Sequence, residues 1–72
     1  MSGARRVLLG VRGMDTVGAR VKVSDALRVV HGVESVESAG EQQLMVRYDP
    51  TEATVMDLIR AARRLGFLAG ME

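Results

Sequence analysis

Side chains able to do chemistry are few in this chain. It has no cysteine and a single histidine, so a thiolate metal site, a disulfide and a Cys-His nucleophile are out of reach. The densest group of useful residues is Gly13-Met14-Asp15-Thr16-Val17-Gly18-Ala19, which offers one thioether, one carboxylate and one hydroxyl. A zinc site takes three or four ligands, and Asp15 alone falls short of that. Gly10, Gly13 and Gly18 invite a phosphate reading because exposed N–H groups at a helix start attract anions, with Arg20 close by. Neither Gly-Lys-Ser/Thr nor Gly-x-Gly-x-x-Gly is present, however, and the glycines are read as conformational. With no nucleophile beside a base, the chain is not expected to be an enzyme.

Three further groups are candidates for contact rather than chemistry. Arg60, Arg63 and Arg64 stand near the end of a helical stretch, where positive charge suits the helix dipole and could also meet an acidic partner. Leu8 and Met45 are expected to point away from the helices on neighbouring strands, with Leu68 near them, as a patch for weak homo-oligomerisation. The net charge of +1, with one Tyr and one Phe, is too small a hold on a polyanion, so no nucleic acid is expected. Charge is uneven: residues 32–57 carry six acidic side chains and one basic, so the middle of the chain is an acidic block.

The elements that must position these residues follow from periodicity. Val7, Leu9 and Val11 alternate with Leu8, Gly10 and Arg12, as in a strand with one face on a core. Ala19, Val23, Ala26, Leu27 and Val30 then form a helical stripe, capped by Asp15 or Thr16 and ended by Gly32. Residues 33–38 read as a short strand, and because Val33 and Val36 are three apart, one of them is expected in the turn or at a bulge. Ala39-Gly40-Glu41 is expected as a hairpin connection to a third strand at Leu44, Val46 and Tyr48, ended by Asp49-Pro50. Thr54 and Asp57 resemble a capping box before the stripe Val55, Leu58, Ile59, Ala62 and Leu65. Gly66 closes this helix, and Phe67 to Met71 has room for a last strand.

The order β-α-β-β-α-β predicts an α+β, ferredoxin-like domain spanning residues 1–72, core about 6–71: a four-stranded antiparallel sheet with two helices on one face. His31 falls at the far end of the first helix, about 20 Å from Asp15 at a rise of about 1.5 Å per residue, too far to share a metal. It reads as a solvated residue favoured by the helix C-terminus. No apolar run approaches the ~18 residues that cross a bilayer, so no membrane insertion and a cytoplasmic location are expected.

The stretch Gly13-Met14-Asp15-Thr16-Val17-Gly18-Ala19 resembles the Gly-Met-x-Cys-x-x-Cys motif of the heavy-metal-associated domain of copper chaperones and metal-pumping P-type ATPases. Val23, Ala26-Leu27, Gly32-Val33, Val36, Tyr48-Asp49-Pro50, Leu58-Ile59 and Gly66-Phe67 keep that family's register, so the resemblance covers roughly residues 7 to 69. It assigns the two metal-binding cysteines to Thr16 and Ala19, Met14 to a prop beneath the loop, and Asp15 to the acidic residue of zinc-type members. The resemblance thus implies a metal transport or homeostasis domain with a degenerate site and no cofactor beyond a weakly held Zn(II) or other divalent cation. Its implied partner is a protein such as a metal-pumping ATPase or another ferredoxin-like domain. The alternative is a small regulatory or self-associating domain unrelated to metals.

Overall fold

A computed structural model describes residues 3–72. Strand β1 (Arg5–Arg12) leads to helix α1 (Val17–Arg28), then to β2 (Val33–Gly40), β3 (Gln43–Tyr48), α2 (Val55–Arg63) and β4 (Leu68–Met71). The sheet order is β2-β3-β1-β4 with every pairing antiparallel. This is the expected ferredoxin-like arrangement.

Alternation along the strands decides which face is covered. Leu9 and Val11 of β1 and Leu44 and Val46 of β3 have no solvent exposure, and Val36 of β2 joins them. They pack against Val23 and Leu27 of α1 and Leu58 and Ala62 of α2, which are likewise fully buried. The opposite sheet face carries Arg6, Leu8 and Gly10, paired with Arg47, Met45 and Gln43. Leu8 and Met45 do face away from the helices, but both are half-buried, and Glu37 flanks Met45 on β2. The exposed apolar side chains of β4 are Leu68 and Met71, 62% and 65% accessible; Leu68, opposite Arg12, shares this face, whereas Met71, opposite Leu9, lies on the other.

The helix ends repeat one another. Gly32 and Gly66 take φ of 97° and 93°, a left-handed conformation that glycine adopts without a Cβ penalty. At the end of α2 the N–H of Phe67 donates to Ala62 O at 3.4 Å and that of Gly66 to Arg63 O at 2.9 Å, so orphan carbonyls are satisfied as the chain turns into β4. In the β3–α2 turn the Asp49 carboxylate accepts from the Thr51 hydroxyl at 2.7 Å and its N–H at 2.9 Å. These bonds, the hydroxyl's first, hold the Asp49 carboxyl below the usual carboxylate range.

Three boundaries differ from the sequence reading. Strand β2 runs on to Gly40, with bulges between Val33 and Ser35 and between Ser38 and Gly40. The hairpin turn is therefore Glu41-Gln42 rather than Ala39-Gly40-Glu41. The second bulge absorbs Ala39, and Gln42 takes the positive φ of 55° that the turn needs. Phe67 belongs to the turn before β4, because its N–H is used to end α2.

Candidate functional site

The loop between β1 and α1 is fixed from below and from the side. Gly13 takes φ of 94°, and a Cβ there would lie 3.3 Å from the Phe67 ring, so the position needs glycine twice over. Its N–H donates to Gln42 Oε1 at 2.8 Å, while Gln42 O accepts from Val11 at 2.8 Å. The β2–β3 turn thus braces the loop from 29 residues away, a link that no periodicity in the sequence could announce. Met14 is 1% exposed and sits in the core cluster.

Beyond Met14 the chain surfaces. Asp15, Thr16, Val17 and Gly18 are all exposed, and Ala19 is half-buried against the core. Thr16, at φ −118° and ψ 161°, is the N-cap of α1. Its Oγ1 accepts the Ala19 N–H at 3.0 Å and its carbonyl accepts the Arg20 N–H at 3.0 Å. Of the two candidate caps, Thr16 fills the role and Asp15 stands just outside the helix. The two positions that the resemblance assigns to cysteine are therefore joined to each other by a helix-capping hydrogen bond.

That donor set does not fit a soft metal ion. Cysteine at an N-cap and three residues on would place two sulfurs at the positive end of the α1 dipole, where thiolates form readily. Here the first position holds a hydroxyl whose oxygen is engaged by a backbone N–H, and the second holds a methyl group. Asp15 remains as one exposed carboxylate. His31 lies at the other end of α1, 83% exposed, with Nε2 2.5 Å from Glu52 Oε1. Among the described residues no three His, Asp or Glu side chains gather as ligands.

The contact candidates separate in space. Arg60 and Arg64 border a groove between the helices with Val29, His31 and Leu65, and Arg60 reaches Asp57 at 3.8 Å. Arg63 instead borders a cleft along β4 with Arg12, Glu72 and Leu68. Adjacent numbering hides this, because consecutive helical residues point about 100° apart. Among the described residues no helix is long and apolar enough to cross a membrane.

No protein-family model and no curated protein matches the chain. Solved structures do. Oxidized MerP from Ralstonia metallidurans CH34 superimposes with a TM-score of 0.92 at 25% identity, covering 97% of this chain and 99% of that one. A copper binding domain from HMA7, a P-type ATPase, gives 0.89 at 28% identity over 94% and 93% of the two chains. The CopZ metallochaperone gives 0.84 at 25% identity over 92% and 100%. Each superposition covers more than nine-tenths of the chain. This chain therefore has the ferredoxin-like fold of the heavy-metal-associated, copper-chaperone-like domains, and it carries no cysteine.

Proposed function

We propose that the chain serves metal transport and homeostasis as a heavy-metal-associated-like domain whose own grip on soft metal is weak or lost, and whose retained work is contact with another protein. One observation carries this reading: the Thr16 hydroxyl is spent on the Ala19 N–H, and Ala19 has no donor atom to offer. The loop keeps its scaffold, with Met14 below, Gln42 beside it and Val17 74% exposed above. An exposed surface on a rigid base suits docking better than ligation. The partner is a cytoplasmic protein of the same trafficking class, either a metal-pumping ATPase or another ferredoxin-like domain. Structural likeness to a domain of a P-type ATPase and to a metallochaperone supports that choice. Asp15 leaves room for a weakly held divalent cation, and no catalytic role is assigned.

Titration of Zn(II), Cd(II) and Cu(I), followed through the backbone amide signals of residues 13–20, tests the loss of the site. Those signals should stay in place up to about 100 μM metal, where a paired-thiolate site would long be saturated. Saturable shifts at low micromolar metal would mean that Asp15 and its neighbours have rebuilt a site, and the reading would fail.

A further inference from the structure

The two outer strands of the sheet are protected very differently. Strand β2 has bulges after Val33 and after Ser38, and carries Glu34 and Glu37. Bulges and charge are the usual means by which a free edge avoids pairing. Strand β4, Leu68-Ala69-Gly70-Met71, has no charge, no proline and no register shift. The sheet order leaves its outer side without a strand among the described residues, and Leu68 and Met71 are exposed there.

The pairing pattern shows which backbone groups face outward. The Glu72 N–H donates to Leu8 O at 3.0 Å, so Leu8–Glu72 is a hydrogen-bonded pair. Alternation then makes Gly10–Gly70 and Arg12–Leu68 bonded pairs too. The N–H and C=O groups of Ala69 and Met71 consequently point away from β1, to the free edge. We infer that β4 pairs with β4 of a second copy of this chain, antiparallel about Gly70, and joins two four-stranded sheets into one continuous sheet.

Three features select this occupant and this register. Antiparallel pairing about Gly70 sets Ala69 opposite Met71 of the second copy, twice over, so the four outward groups on each strand form four hydrogen bonds. Gly70 faces its own copy at the non-bonded position, where strands approach to about 4.5 Å. A Cβ at Gly70 would meet nothing within 4 Å of its own chain, and glycine leaves that central point clear for the neighbour. The Glu72 carboxylate is turned back over Gly10, where Gln43 Nε2 donates to it at 2.9 Å, so no charge of this strand end stands at the free edge to oppose pairing. Four hydrogen bonds along a four-residue edge make a small interface, and the dimer proposed is a weak, reversible one with a dissociation constant on the order of 100 μM. The inference does not depend on what the β1–α1 loop binds.

Sedimentation velocity and amide hydrogen exchange, both run from about 20 μM to about 1 mM, test it. The protein should pass from monomer to dimer, and exchange at the Ala69 and Met71 amides should slow about three- to fourfold, in step with the falling monomer fraction, while that of Gly70 stays unchanged. Ala69→Pro deletes an outward N–H without touching the β1 ladder, and Met71→Lys adds an edge charge at an exposed site. Each should weaken the dimer at least about tenfold with the circular dichroism spectrum kept. Met71→Lys serves alone if the proline variant does not fold. A monomer at 1 mM, a dimer insensitive to Met71→Lys, or protection confined to β2 amides would each overturn the inference.

Discussion

The two helices of this domain begin with the same residue in the same conformation, and they differ in everything around it. Thr16 before α1 sits at φ −118°, ψ 161°, and Thr54 before α2 at φ −119°, ψ 162°. Each hydroxyl accepts the N–H three residues on, Ala19 in one case and Asp57 in the other. Asp57 returns the bond, accepting the Thr54 N–H at 2.9 Å, whereas Ala19 has nothing to return. Around that bond, Ala53 and Leu58 before and after the start of α2 are both buried, in the positions of a hydrophobic staple. The matching positions of α1 hold Asp15 and Arg20. The start of α2 is fixed redundantly within its own turn; that of α1 has one hydroxyl there, with Met14 below and the Gln42 brace at Gly13 beside it. The two positions that the resemblance assigns to cysteine, Thr16 and Ala19, are the N-cap and third helical position of α1, the two places a capping box uses. Here the first half of that pair has become a cap and the second half is blank.

Substitutions can break or sharpen this contrast. Met14→Ala should have the largest effect, a loss of about 2–5 kcal/mol in denaturant unfolding, because it opens a cavity beneath the α1 start. A loss below about 1 kcal/mol would show that the loop is not anchored in the core. Thr54→Ala should cost about 1–2 kcal/mol and Thr16→Ala about 0.5–1 kcal/mol, since only the former dismantles a reciprocal box. Equal losses would erase the distinction. Ala19→Asp copies the α2 box onto α1 and puts a carboxylate into a first turn that has none. Thermal unfolding should report a gain of about 0.3–1 kcal/mol, and a neutral or negative result would mean that the α1 start cannot close as α2 does.

The smallest effect concerns acid. Hydrogen bonds from the Thr54 N–H, then from its hydroxyl, hold the Asp57 carboxyl below the usual range. A carboxyl lowered in the folded state contributes stability at neutral pH that fades as pH falls below about 4, through the folded-state value. Asp57→Asn should therefore make the acid limb of stability shallower. An unchanged limb would assign acid sensitivity to Asp49 instead, which is lowered by Thr51.

Most of the scaffold could be read from residue order because its signals are local. Alternation from Val7 to Val11 set the buried face of β1, Thr54 with Asp57 marked a cap, and the three-residue step from Val33 to Val36 marked an irregularity, a turn or a bulge, which is a bulge. What escaped reading was non-local. The brace from Gln42 to Gly13 joins two turns through one side chain, and Gln42 supplies its turn's positive φ without being glycine. A single irregularity was legible where β2 has two bulges, because Ala39-Gly40 also reads as a turn. The loop's composition showed which ligands were missing, but not that Thr16 and Ala19 bond to each other. That bond depends on the capped backbone itself. The parting of Arg63 from Arg60 and Arg64, and the half-burial of Leu8 and Met45, likewise depend on how the elements pack and not on residue order.

The most direct test restores the missing chemistry at the two linked positions. In the Thr16→Cys, Ala19→Cys double variant, a Cu(I) or Zn(II) titration read by competition with a chelator should show one tight site per chain, at least about a thousandfold tighter than in the parent. Amide signals outside residues 13–20 should stay in place. A variant that folds normally and binds no better than the parent would contradict the claim that this loop is a metal carrier's scaffold without its sulfurs.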